Sequence, residues 1–481
     1  MTGPRLFAAL DGYAVEGGYD GLTGPTTCYA PSITLGRLAG PDALGLWDDY
    51  EAVLDAAAAL GLDGVRLVVE WTRVEPRRGV VDESALARYA AVVAHARDAG
   101  LAVTVVLFDA VWPLWAGLEA WLLPWVAPMA IAHGRRVAHA LEAATGIIVA
   151  TRAADLVDAG FLTGTAPPFR ERAMEDAASA HESLGQIVAT LAADEAIAPR
   201  LVRAWRELRL IHGPGAVRTA VSSGASEVYL RSLVAGTGPT SCYAPSITLG
   251  RLAGPDALGL WDDYEAVLDA AAGLGLDGVR LAVEWTRVEP RRGVVDESAL
   301  ARYEAVVNHA RRAGLAVTVV LFDVVWPLWA GLEAWLLPWV EPMAIAHGRR
   351  VARALSGATG IIIATRAADL VDAGFLTGTA PPFRERAVED ARSAHGALGR
   401  IVATLAADPA IAPRLVRAWR ELRLIHGTGA VRTAVTSGAT EVYLRSLVAG
   451  TGPTAESAGL LARRDGVWAP TEAAGLLGLL R

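Results

Sequence analysis

The stretch WDDYEAVLDAAAALGLDGVRLVVEWTRVEP, residues 47–76, carries two periodicities in succession. In the first part Trp47, Tyr50, Val53, Leu54 and Ala57 fall on one stripe at helical spacing, Leu46 extends it, and Gly61 ends it. In the second part, GVRLVVEW, the period disappears into a short run of Val and Leu, as in a strand buried on both faces. A helix that empties directly into such a strand is the building unit of a parallel sheet.

Working outward, the same alternation continues. Asp82 is placed to cap a helix over ESALARYAAVVAHARDAG, which ends at Gly100, and LAVTVVLFD follows as a strand. A tryptophan-rich loop and the helix PMAIAHGRRVAHALEA lead to a third strand, GIIVATR, which opens into the Gly- and Pro-bearing loop of residues 153–168. LFAALDGY near the N-terminus supplies a fourth strand, matched by EVYLRSLVAG ahead of residue 237.

The whole series then repeats. The opening stretch returns at residues 261–290, and TGPT stands at Thr23, Thr237 and Thr451, always 214 residues apart. The two copies agree at about nine positions in ten, a repeat of domain or half-domain size. Differences such as Ala94/Asn308, Asp98/Arg312, Ala127/Glu341 and His139/Arg353 fall mainly on helix faces, as in a recent duplication. The expected organisation is a first copy at 1–236 (an N-terminal strand plus the repeat 23–236), a second at 237–450 and a tail at 451–481. Four strand–helix units taken twice give an α/β protein, a single (β/α)8 TIM-like barrel built from two near-identical half-barrels. Two side-by-side domains are the rival, because 481 − 214 = 267 residues are also barrel-sized by the usual ~250. The tail either caps the last exposed element or mediates self-association as a homo-oligomer.

Composition narrows the function. The chain is 53% hydrophobic, carries a net charge of −8 and contains no lysine. This suits a large core and argues against a nucleic-acid partner. Cys28 and Cys242 are one repeat position seen twice, read as a small apolar residue, with neither a disulfide framework nor a metal-ligand cluster. No cofactor motif stands out. The start lacks the pattern of a signal peptide, and charged and proline residues interrupt the apolar run 101–134, so a soluble, cytoplasmic protein with no membrane partner is expected. His95, His133 and His212 have no ligand spacing and read as surface or capping residues.

In order along the chain, FAALDGYAVEGG, the opening stretch with its continuation to Val93, LAVTVVLFDAVWPLW, GLEAWLLPW and GIIVATRAADLVDAGF resemble successive motifs of the family 1 glycoside hydrolases, the β-glucosidase group. The resemblance covers about residues 7–191 and the second copy. It implies a (β/α)8 barrel, a carbohydrate or glycoside as small-molecule partner and a role in carbohydrate metabolism. It also shows departures. The family's acid/base glutamate falls on Arg152, its asparagine on Thr151 and its proline on Ala153. The sugar-binding glutamine falls on Ala14 and the third-strand histidine on Asp109. The nucleophile motif has no counterpart, because the second copy repeats the first half. Retaining hydrolysis needs two carboxyl groups about 5–5.5 Å apart, and arginine cannot stand in for either.

Strand alternation nominates a replacement set. Arg66, Val68 and Glu70 share one parity, as do Val105, Leu107 and Asp109, and Ile148, Ala150 and Arg152. The second copy supplies Arg280, Glu284, Asp323 and Arg366. Three readings follow. Glu70 with Asp109, and Glu284 with Asp323, act as acid/base pairs on O-glycosidic bonds. Alternatively, Arg66, Arg152, Arg280 and Arg366 hold an anionic sugar or metabolite in a catalytically inactive relative. In the third, the charges only neutralise one another in a structural duplicate. Glu16, near the sugar site by resemblance, and Trp112 and Trp326, whose faces suit sugar stacking, complete the candidate binding residues; no metal ligands are expected.

Overall fold

The computed structural model describes residues 5–10, 16, 26–31, 46–109, 111–150, 157, 160–161, 166–170, 172–202, 205–208, 227–230, 261, 264–273, 276–323, 325–364, 371, 374–375, 381–382, 386–416, 420–422, 441–444, 460–464 and 467–479. Arg152, Arg366, Thr151, Ala153, Ala14, His212 and Cys242 lie outside them.

The first copy supplies β1 (Arg5–Leu10), α1 (Leu46–Ala59), β2 (Gly64–Val68), the single turn α2 (Trp71–Val74), α3 (Glu83–Asp98), β3 (Ala102–Phe108), α4 (Val126–Ala140), β4 (Gly146–Ala150) and α5 (Met174–Ala192). The second repeats them as α6 (Tyr264–Gly273), β5 (Gly278–Ala282), α7 (Trp285–Val288), α8 (Glu297–Arg312), β6 (Ala316–Phe322), α9 (Val340–Ala354), β7 (Gly360–Ala364) and α10 (Val388–Ala406). β8 (Glu441–Leu444), β9 (Leu461–Arg464) and β10 (Val467–Pro470) follow.

Local causes are plain. The Asp82 carboxylate accepts from the Ser84 and Ala85 backbone N–H groups and starts α3, and Asp296 does the same for α8. In α1 the predicted stripe is real: Tyr50, Val53, Leu54 and Ala57 are buried. Gly61 and Gly100 take positive φ where α1 and α3 give way to the next strand. The two-sided apolar runs of β2 and β3 are buried almost throughout, as parallel strands under helices require.

The chain divides into two compact units. One comprises 5–228 with 441–475, and here β8, β1, β2, β3 and β4 lie side by side, every pairing parallel. A small antiparallel hairpin of β9 and β10 belongs to the same unit, where the Trp468 indole N–H donates to Asp49 Oδ2 at 2.7 Å. The other unit is mainly 229–440, with β5, β6 and β7 parallel in the same register as β2, β3 and β4. Its core runs from Tyr264 and Leu268 through Val317, Val319 and Ile361 to Leu398 and Val402. Among the described residues no single helix is long and apolar enough to cross a membrane.

Candidate active site

The C-terminal ends of β2 and β3 bring Arg66, Glu70 and Asp109 to one region of the first unit, and β5 and β6 bring Arg280, Glu284 and Asp323 to one region of the second. Register decides which side chains share a face. Arg66 stands beside Ala9 and Thr104, and Val106 beside Ile148. The face of Arg66 and Val68 therefore continues through Thr104 and Val106, not through Val105 and Leu107 as predicted. Asp109 lies one residue past the end of β3, where alternation no longer fixes its direction. In the second copy the register is the same, yet Asp323 acts electrostatically on both Glu284 and Arg280.

The two copies differ in access. Arg66 and Glu70 are each 3% exposed and Asp109 is buried. Arg280, Glu284 and Asp323 are only partly buried. The flanks differ too: β1 pairs along the other edge of β2, whereas among the described residues no strand pairs with that edge of β5. Burial, then the neighbouring Asp323, pushes the Glu284 carboxyl from 4.5 up to about 8, while Arg287 acts the other way. Its Oε2 is sealed from solvent and has no hydrogen-bond partner among the described residues. Burial pulls the Arg280 guanidinium below its ordinary range, and Asp323 opposes that.

Glu16 is 3% exposed and sits at the centre of a network in the first copy. Its Oε1 accepts from Tyr89 Oη at 2.6 Å and its Oε2 from Arg73 Nε at 2.7 Å. The same Tyr89 hydroxyl accepts the Glu70 backbone N–H at 3.1 Å, and the Arg73 guanidinium lies 4.1 Å from the Trp47 ring centre. Tyr89 and Arg73 were absent from the sequence-derived set. Their signal was weak, a tyrosine on the inner face of α3 and an arginine three residues after Glu70.

The tryptophans are placed as packing. Trp112 and Trp326 are each 2% exposed, meet Trp121 and Trp335 edge-on, and donate their indole N–H to Gly117 O at 2.9 Å and Gly331 O at 2.8 Å. As packed, neither offers a ring face to a sugar. His133 corrects the surface reading: it is wholly buried, stacked on Trp71 at 5.3 Å, and burial followed by Arg136 lowers it from 6.5 to about 3. His95 does sit at the surface, 2.8 Å from Asp55 Oδ1. Cys28 is a buried free thiol that burial pushes up, as its reading as a small apolar residue expects.

No family model matches the chain. It is 32% identical over 82 residues to the chloroplastic β-glucosidase-like SFR2 of rice, Oryza sativa subsp. japonica; this spans 16% of the chain and 13% of that protein. A β-glucosidase from Thermotoga maritima in complex with deoxynojirimycin superposes with a TM-score of 0.50 at 11% identity, over 100% of this chain and 98% of that one. The fold is of the β-glucosidase kind. A family 1 β-glucosidase structure from the same organism gives a TM-score of 0.49 at 10% identity, over 99% and 98%. The likeness at a TM-score of 0.50 and 11% identity speaks for the α/β scaffold alone and leaves the chemistry to the residues above.

Proposed function

We propose that this chain is a barrel protein of carbohydrate metabolism that binds a glycoside at the partly open cluster of the second copy and hydrolyses its O-glycosidic bond. Glu284 is the general acid: held protonated up to about pH 8, it gives its proton to the leaving oxygen. Asp323 is the carboxylate that draws a proton from the attacking water. Arg280 orients the sugar and steadies Asp323. The observation that carries this reading is the Glu284 carboxyl, sealed at Oε2 and raised to about 8 by burial and the neighbouring Asp323, since a carboxyl kept protonated beside a second one is placed to act as a general acid. The buried first-copy set, Arg66, Glu70 and Asp109, serves as charge-balanced core. The binding of deoxynojirimycin by the Thermotoga maritima β-glucosidase supports a sugar as the ligand class.

In this reading the two copies are half-barrels closed into one cytoplasmic barrel, and the family's catalytic glutamates are gone, with Arg152 and Arg366 in the acid/base place. A single cooperative unfolding transition is expected; two separate ones would favour two domains. Cell fractionation checks the compartment. The arginines at 152 and 366 favour a second reading, in which the site holds an anionic sugar without cleaving it. A panel of aryl glycosides and aryl glycuronides, run with the Glu70→Gln/Glu284→Gln double variant, separates the two. Turnover lost in the variant supports hydrolysis. No turnover above the variant's background rejects it, and binding that weakens in Arg152→Gln/Arg366→Gln would then favour holding.

A further inference from the structure

The two copies differ at one niche in a way that points to a ligand. In the first copy Tyr89 and Arg73 grip the two oxygens of the Glu16 carboxylate, at 2.6 and 2.7 Å. The second copy keeps both donors in the same setting. Glu284 N–H donates to Tyr303 Oη at 3.0 Å, as Glu70 N–H does to Tyr89, and the Arg287 guanidinium lies 4.4 Å from the Trp261 ring centre, as Arg73 lies over Trp47. The carboxylate does not recur. The position 214 residues after Glu16 is Leu230, and residues 228–255 contain no Asp or Glu. Among the described residues, no carboxylate reaches hydrogen-bond distance of Tyr303 Oη or ion-pair distance of Arg287, whose charge acts on Glu284 only electrostatically, whereas surface pairs of the repeat recur in both copies, such as His95–Asp55 and His309–Asp269.

We propose that Tyr303 and Arg287 form a carboxylate-binding subsite, and that a small sugar acid of the uronate class places its carboxylate where Glu16 sits in the first copy. A hydroxyl and a guanidinium are a matched pair of donors for the two oxygens of one carboxylate. A tyrosine hydroxyl buried with donor capacity unspent is costly, and a ligand oxygen repays that. The niche adjoins the partly buried cluster: the backbone of Glu284 anchors Tyr303, and Arg287 and Asp323 both act electrostatically on the Glu284 carboxyl. A uronate held by its carboxylate at Tyr303 and Arg287 would turn its ring hydroxyls toward Glu284 and Asp323. The subsite rests on the carbohydrate reading only for its choice of a sugar acid; the carboxylate preference stands whether or not the site cleaves anything.

Titration calorimetry of the full chain with D-glucuronate, D-glucose and acetate tests this. Glucuronate should bind at least tenfold more tightly than glucose, and acetate should compete with it. Arg287→Met should weaken glucuronate at least tenfold, and the conservative Tyr303→Phe severalfold, with unchanged circular dichroism and melting. Equal binding of glucuronate and glucose, or undiminished glucuronate binding in folded Tyr303→Phe and Arg287→Met, overturns the proposal. Because the readout is binding, absent hydrolysis in the glycoside panel leaves it intact, and absent glucuronate binding leaves the hydrolysis question to that panel.

Discussion

Replacing Glu284 with Gln isolates the titration on which the acid assignment depends. The folded carboxyl sits at about 8 against an ordinary 4.5. Raised in the folded state, it binds its proton more tightly there than in the unfolded chain. The stability it contributes is complete below pH 4.5, declines as pH rises and is gone above about pH 8. A difference of 8 − 4.5 = 3.5 units at ~1.4 kcal/mol each gives an upper bound of ~5 kcal/mol over that window. Glu284 is only partly buried, so solvent screening reduces this to ~2–3 kcal/mol. Gln keeps the neutral shape and cannot ionise. Urea unfolding of wild type and Glu284→Gln from pH 4.5 to 8.5 should give nearly equal stabilities at the acid end, with the variant ahead by ~2–3 kcal/mol at the alkaline end. Parallel pH profiles would mean that Glu284 ionises normally, and the general-acid role would go with it.

Other perturbations reach different parts of the argument. Asp82→Ala removes the cap that accepts from Ser84 and Ala85 and should cost ~1 kcal/mol in urea unfolding, as should Asp296→Ala. A Cβ on Gly160 would stand 2.0 Å from the Pro167 carbonyl oxygen, a backbone atom that cannot swing away, so Gly160→Ala should lose ~3 kcal/mol and lower the thermal midpoint. His133 is a base with a depressed pKa, so its contribution is present above pH 6.5 and lost as pH falls toward 3; His133→Phe should gain on wild type by ~1.4 kcal/mol per unit in that window, read by acid unfolding. Trp112→Phe forfeits the bond to Gly117 and should cost ~1 kcal/mol in the same unfolding assay while leaving glucuronate affinity unchanged.

The alternation of helix and strand was legible because each signal is local. The α1 stripe, the Asp82 cap and the Val-rich runs of β2 and β3 each follow from neighbours in the chain, and each was found where expected. The site was legible only in part. Arg66, Glu70 and Asp109 were nominated from strand ends, but the face drawn through Val105 and Leu107 failed, because the register pairs Arg66 with Thr104 and Val68 with Val106; Asp109 lies beyond Phe108, the last paired residue. Trp112 and His133 were misjudged for a related reason. An aromatic or imidazole ring is amphipathic, and its neighbours in space, here Trp121 and Trp71, decide whether it faces water.

By itself the sequence determined the order of elements, the duplication at 214 residues and the charged residues at strand ends, since periodicity, capping and repetition are written in nearest neighbours. Only the tertiary structure decided what those charges do. Glu16 lies 73 residues from Tyr89 and 57 from Arg73, and no local pattern links them. The second copy repeats the donors but not the carboxylate, and its Arg280, Glu284 and Asp323 are only partly buried. Two nearly identical sequences thus hold one sealed charge network and one partly exposed cluster, because burial and pairing depend on which distant residue arrives to fill each space.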